Sequence, residues 1–254
     1  QPEGKIRPQE KAKHDQKMEI HRWIDQIVED KATAEALKPW YMYMCKRPTF
    51  HNDYLPTFNR PNVHLVDTRG QGVSEITAKG PVFDGKTYEV DVLIYATGFE
   101  VQKTGVFNTI NGRNGVNLAT KYEDGIRTLL GIHSHDFPNL FIMAGYQSSF
   151  QFNLTDMLEW QGRHIAACID YARQRGIQSL DATADAEEWW VQEVIKFRGT
   201  TSRNQECTPG YYNFEGEFNR RQDGNYNGGI NEYIAHMANV RAHMEENFVL
   251  TRKS

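Results

Sequence analysis

Lys46 and Arg47, adjacent and closed by Pro48, have the most chemistry to offer of any neighbouring side chains in this sequence. A guanidinium keeps its charge at any working pH and presents a planar fork of donors suited to an oxygen anion. A neighbouring ammonium suits a phosphate as a point charge. Most Lys-Arg pairs simply face solvent, and composition alone favours that reading, so the surroundings must decide. The second candidate is the apolar run DVLIY, which ends in Ala96-Thr97-Gly98. In α/β sheets ligands collect beyond the carboxyl ends of strands, and a glycine there lets backbone approach closely. A plain strand stop with a tight turn would produce the same letters.

Other stretches are weaker. Gly70-Gln71-Gly72 imitates the start of a dinucleotide fingerprint, but Glu75 stands where the third glycine belongs and a strand-like alternation follows instead of a helix. His133 and His135 form an H-x-H beside Asp136, yet no further ligand stands at a helical or strand spacing, so loop histidines are the default over a zinc site. Neither G-x-S-x-G nor H-E-x-x-H occurs. Cys45, Cys168 and Cys207 are odd in number, far apart and without a C-x-x-C pair. Neither a disulfide framework nor a cysteine zinc site is readable, and a reducing, cytoplasmic setting is expected.

The elements that must position these groups can be read from periodicity. Residues 1–17 are polar and charged and predict a solvated linker. From Met18, the residues Ile20, Trp23, Ile24, Ile27 and Val28 recur at helical spacing and predict a core stripe, with a further short turn at 33–38 before Pro39. NVHLVDT and DVLIYATG read as buried strands of a parallel sheet. VSEIT, GPVF, a DGK turn and TYEV read as an antiparallel meander on its flank. Residues 105–139 are irregular, and NLFIMAG at 139–145 reads as another buried strand. A helix is predicted from Leu154 to Arg175, with Met157, Leu158, Ile165, Cys168, Ile169 and Ala172 inward and Gly176 as its stop. Two more follow, at 184–198, with Trp190, Val194 and Phe197 inward, and at 231–246.

With 254 residues, the chain can hold one large or two small domains. A formal charge of −4 and no long basic block argue against nucleic-acid binding and against coating an anionic membrane. Apolar runs such as VLIYA fall far short of the ~20 residues of a membrane helix. The polar start, without Met or an apolar segment, reads as a cut inside a longer chain.

Taken together and in order, PWYMYMCKRPTFHNDYLPTFNRPNVHLVDT, DVLIYATGFE, DFPNLFIMAG and ECTPGYYNFEG resemble the C-terminal half of a Baeyer-Villiger monooxygenase, from about Met18 to Gly216. The branch containing 4-hydroxyacetophenone monooxygenase is the most similar. The resemblance implies an α/β fold, part of a two-dinucleotide-binding-domain flavoprotein: a parallel sheet with a flanking β-meander and C-terminal helices. Residues 18–99 would be the C-terminal part of the NADPH-binding domain with its helical segment, and residues 100–254 that of the FAD-binding domain. FAD and NADPH are the implied cofactors. Arg47 would stabilise the negatively charged flavin C4a-peroxide, and Lys46 would lie near the 2′-phosphate of NADPH. Tyr95, Ala96, Thr97 and Gly98 resemble the passage between the two domains. Gly145, Tyr146, Gln147 and Ser148, with the helix start near Asn153, resemble the part that covers the flavin ring. Tyr211 and Tyr212 would lie over substrate and NADP.

The family's two glycine motifs and its F-x-G-x-x-x-H-x-x-x-W signature are missing, as expected of a fragment, a processed piece or half of a split enzyme. The loop MAGYQSSFQFN also departs from the glycine-proline sequence of smaller relatives. The implied reaction converts ketones to esters or lactones with O2 and needs the N-terminal half, in cis or as a partner chain. An enzyme oxidising nitrogen or sulfur, and a non-catalytic remnant that binds a partner chain, are the alternatives.

Overall fold

The computed structural model describes residues 8–43, 45–98, 105–149, 153–197, 207, 209–210 and 222–252. They fall into two compact units, Gln1–Glu100 with Gln205–Glu215, and Val101–Asn204 with Gly216–Ser254.

In the first unit helix α1 spans Pro8–Ile27, so it starts inside the stretch expected to be a linker. Proline is at home in a first helical turn, and the Gln, Glu, Lys and Ala that follow are good helix formers. Asn59 closes the other end: its amide donates to Ile27 O at 2.8 Å and its Oδ1 accepts from Glu29 N at 3.0 Å. Helix α2, Lys31–Leu37, is capped by Asp30, whose carboxylate accepts from Thr33 N at 2.7 Å. That bond holds the exposed Asp30 carboxyl below its ordinary range. Ile24, Val28 and Ala34 pack with Leu55 of the short helix α3, Tyr54–Thr57. Trp23, expected in the core stripe, is 52% exposed because the buried row runs through Ile24 and Val28 and leaves it on the margin.

Strands β1 (Glu75–Thr77), β2 (Gly80–Phe83) and β3 (Lys86–Thr87) form the antiparallel meander, with Thr77 opposite Gly80 and Val82 opposite Thr87. Asp84 and Gly85 both have positive φ (51° and 73°), as a two-residue hairpin turn requires. The outer strands are not formed. In the DVLIY run Val92 is 76% and Ile94 82% exposed, and NVHLVDT is likewise without strand. A parallel strand exists only where neighbours complete its ladder, and no described residue supplies one. A second correction concerns the cysteines: Cys45 and Cys207 are joined by a disulfide across 162 residues of sequence. Spacing along the chain carries no information about so distant a pairing.

The second unit has the larger core. Helix α4 covers Leu118–Lys121, α5 Leu154–Gln174, α6 Ala184–Lys196, α7 Ile230–Ala242 and α8 Met244–Asn247. Leu129, Leu130, Ile132, Met157, Cys168, Trp190, Val194, Tyr233, Met237 and Phe248 are buried together. On α5, Met157 and Cys168 point inward as expected, but Ile169 is 50% exposed; Gly176, at φ 64°, follows the helix end. The helix expected at 231–246 is broken at His243, whose φ of −125° and ψ of 49° separate α7 from α8. Strands β4 (Ile177–Ala182) and β5 (Phe248–Arg252) pair antiparallel, with Leu180 opposite Leu250. NLFIMAG is a strapped loop, not a strand. Asn139 and Ala144 adopt positive φ (59° and 55°), and Asn139 N donates to Leu180 O at 2.9 Å.

Candidate cofactor site

In the first unit, Arg47 is exposed on the loop that follows buried Cys45. Lys46 Nζ donates to Pro209 O at 2.9 Å and lies 5.8 Å from the centroid of the Tyr41 ring. An ammonium has three donors, so this bond leaves capacity for a phosphate. Ala96, Thr97 and Gly98 are exposed, Tyr95 66% so. Gly98 has φ +89°, and a Cβ built there would meet no described residue within 4 Å. That is the open, left-handed glycine that a close backbone approach needs.

The remaining described candidates belong to the second unit, where the loop 145–149 is fixed by a buried polar frame. Gln147, expected at the cofactor, has no exposed side chain, and its amide is fully used within the protein. Its Oε1 accepts from Thr128 N (3.0 Å) and Thr128 Oγ1 (2.5 Å). Its Nε2 donates to Ile126 O (2.9 Å) and Gln222 O (3.1 Å). Its main-chain oxygen accepts from Trp190 Nε1 at 3.1 Å. An amide with its donors and acceptor spent internally shapes the loop that carries it.

Ser148 is equally buried. Its Oγ accepts from Gln161 Nε2 at 2.9 Å, and the same nitrogen donates to Tyr233 OH at 3.0 Å, which in turn donates to Leu130 O at 2.5 Å. Burial pushes the Tyr233 phenol up to about 12, so it stays a donor. Gly131, at φ +69°, is required because a Cβ there would come 2.6 Å from Ser148 N. Gly145 is required similarly, 2.7 Å from Ile142 Cγ2. Burial, reinforced by the Asp223 carboxylate, raises the Tyr146 phenol above its ordinary range, so it too remains protonated. The cavity under this loop, lined by Tyr122, Thr128, Ile142, Gly145 and Tyr146, is about 10 Å³, room for one water at most.

Sequence reasoning missed Thr128, Gln161, Trp190 and Tyr233 as the frame. Gln161 was visible in principle: it stands four residues after Met157 on the inward row of α5, and a polar residue there must find partners. At the start of α5, Asn153 Oδ1 accepts from Asp156 N at 3.3 Å, and the Asp156 carboxylate stands in the first turn. The positive end of this helix is thus partly spent on its own residues. Tyr211 and Tyr212 lie outside the described residues.

The two histidines of the H-x-H part company. His135 Nδ1 donates to Ala182 O at 2.7 Å, whereas His133 Nε2 meets His164 Nε2 at 3.0 Å, with Cys168 Sγ at 3.5 Å from the latter. Arg241 Nη1 lies 3.1 Å from His164 Nδ1. A guanidinium only donates, so Nδ1 accepts and the His164 proton sits on Nε2, pointing at His133. Burial lowers His133 well below its usual range and, with the Arg241 charge, takes His164 down to about 3; burial raises the Cys168 thiol to about 12. The cluster is built to stay neutral, and the adjacent guanidinium opposes a metal cation there.

No protein-family model matches the chain. It is 44% identical over 222 residues to Baeyer-Villiger monooxygenase ATR8 of Stachybotrys chlorohalonatus, an alignment covering 84% of this chain and 35% of that protein. It is 42% identical over 224 residues to pentalenolactone D synthase of Streptomyces arenae, covering 85% and 38%. Among solved structures, the polycyclic ketone monooxygenase of Thermothelomyces thermophila superposes with a TM-score of 0.84 at 34% identity, over 98% of this chain and 43% of that one. The chain belongs to the Baeyer-Villiger monooxygenases. Cyclohexanone monooxygenase from Rhodococcus sp. Phi1, solved bound to NADP+, gives a TM-score of 0.83 at 31% identity, over 96% and 46%. The chain thus spans a little over a third of the length of these curated Baeyer-Villiger relatives. Its fold is a part of the two-dinucleotide-binding-domain flavoprotein. No described helix is long and apolar enough to cross a membrane.

Proposed function

We propose that this chain is the C-terminal part of an FAD- and NADPH-dependent monooxygenase that inserts one oxygen atom of O2 beside a ketone carbonyl, giving an ester or lactone. In this reading residues 18–99 complete the NADPH-binding domain and 100–254 the FAD-binding domain, and the remainder of both comes from an N-terminal part, in cis or as a partner chain. The setting is the cytoplasm. Bound FAD, reduced by NADPH, supplies the oxygen-transfer chemistry. The residues present suit these groups: an open glycine at Gly98, an exposed guanidinium at Arg47, and a lysine with spare donors.

The observation that carries the proposal is Arg47, exposed on a loop whose neighbour Cys45 is buried and covalently held. Its fork cannot surrender a proton at working pH, so it holds anionic oxygen in place without neutralising it. Lys46 gives the point charge for the cofactor's 2′-phosphate. In the second unit the Tyr146 phenol is kept protonated, and the frame around Gln147 and Ser148 holds its loop in place.

The test is Arg47→Ala in the longer protein that contains this chain. Ester formation should fall about 100- to 1,000-fold, the usual cost of losing a preorganised charge. Flavin content and NADPH oxidation should persist. Arg47→Lys should rescue little, because an ammonium keeps the charge and loses the fork. Ketone oxygenation at near wild-type rate in Arg47→Ala would remove the role.

A further inference from the structure

The segment Gln205–Glu215 lies in sequence between two stretches of the second unit, yet it packs in the first. Two links among the described residues hold it there. One is the Cys45–Cys207 disulfide, and the other is the bond from Lys46 Nζ to Pro209 O at 2.9 Å. Both start from consecutive residues immediately before Arg47. The position of the cationic loop and that of the distant segment are therefore fixed by one another, and one of the links can be opened chemically.

We propose that Cys45 and Cys207 form a reversible clamp that pins Cys207 and Pro209 to the Lys46–Arg47 loop and so positions those two cations, with thiol–disulfide exchange as its control. This extends the function proposed above and rests on it for the consequence at the cofactor. The clamp itself stands on the geometry alone. Opening is a two-electron step: one thiolate of an external dithiol attacks the Cys207 sulfur, Cys45 leaves as a thiolate, and the dithiol's second thiol closes on its own bonded sulfur to release Cys207. The clamp ends as two thiols, and the dithiol leaves as its own disulfide. Cys207 is the entry point, since it is half-buried while Cys45 is 6% exposed. Cys168, the third cysteine, is wholly buried in the other unit, so it does not compete for the pairing. In a reducing compartment disulfides are typically transient or sensing, which is the behaviour proposed.

The 254-residue chain tests the clamp directly. Purified without reductant, or after exposure to oxidised glutathione, it should show one titratable thiol under denaturing conditions, Cys168, and all three after dithiothreitol. A peptide map should contain Cys45 joined to Cys207. Limited chymotryptic digestion of the chain should speed up several-fold on reduction and slow again on reoxidation. Cys207→Ser should be cut at one rate throughout. Three free thiols after oxidation, or cleavage indifferent to dithiothreitol, overturns the clamp, and the cycle on the unmutated chain needs no variant to fold. In the longer protein, reduction should raise the NADPH KM and lower ester formation, each several-fold, and Cys207→Ser should not respond. An unchanged KM with the clamp demonstrably open overturns the positioning role. Failure of the proposed function is read separately, from an Arg47→Ala variant that still oxygenates ketone.

Discussion

Acidification from about pH 7.5 to about pH 5 should loosen the second unit through His133 and His164. Both rings are buried and held neutral, His164 titrating at about 3 in the folded chain and His133 well below its ordinary 6.5. Desolvation is the first cause for each. The charge of Arg241 adds to it for His164, and the neighbouring His164 adds to it for His133. In the unfolded chain both regain a pKa near 6.5, so the unfolded state takes up protons first as the pH falls. Their contribution to stability is therefore complete above about pH 6.5 and lost below it, at up to ~1.4 kcal/mol per pH unit for each ring. Between pH 6.5 and 5 that is about 2 kcal/mol per histidine and about 4 kcal/mol for the pair, a large share of a typical 5–15 kcal/mol. Guanidinium denaturation followed by circular dichroism across this range measures it. The matched His133→Gln/His164→Gln variant isolates the pair from the chain's other histidines: it should be weaker at neutral pH and flatter on acidification. Because the rings are buried, added salt should leave the difference in place. Equal pH dependence in the variant and the parent chain would refute the reasoning.

Two further outcomes are expected. Gly131→Ala should cost about 3 kcal/mol in a denaturation experiment, since it forces a side chain into a left-handed backbone and against Ser148; a loss below about 1 kcal/mol would mean the loop 145–149 yields easily. Lys46→Ala in the longer protein should raise the NADPH KM about tenfold and leave the NADH value nearly unchanged, which steady-state kinetics with both cofactors will read. Equal losses would place the lysine elsewhere.

Where an element's own residues satisfy its backbone, the sequence was legible. The inward rows of α5 and α6 follow helical spacing, and the DGK turn announces the hairpin between β2 and β3. The runs 62–68 and 91–98 failed for the opposite reason: their composition is that of buried strands, but a strand's bonds belong to its neighbours. Strand β4 was hidden because Gln178, Ser179 and Asp181 interrupt its apolar pattern. Asp181 is buried there beside Arg113, 68 residues away, whose Nε donates to its carboxylate at 2.7 Å. The pairing of Cys45 with Cys207 left no local trace at all. Lys46 and Arg47 were ambiguous by chemistry and became candidates through the company they keep in the surrounding stretches. Nothing in GYQSS says that the Gln147 amide turns inward, because its partners lie on distant stretches of the chain.

That inward turn has a bearing on how the polypeptide matures during synthesis. Gln147 draws on Ile126 and Thr128, made before it, and on the carbonyls of Gln222 and Gly224, made some 75 residues later. Until those later residues leave the ribosome, the amide lacks the Gln222 carbonyl, the main-chain N–H of Gln147 lacks that of Gly224, and the surrounding shell cannot exclude water. Strand β5, at 248–252, arrives later still to pair with β4. The second unit is thus obliged to wait, its helices formed and its interior open, for the last of the residues it needs. A nascent chain arrested between α6 and residue 222 would be caught in that condition and would be a natural client for chaperones.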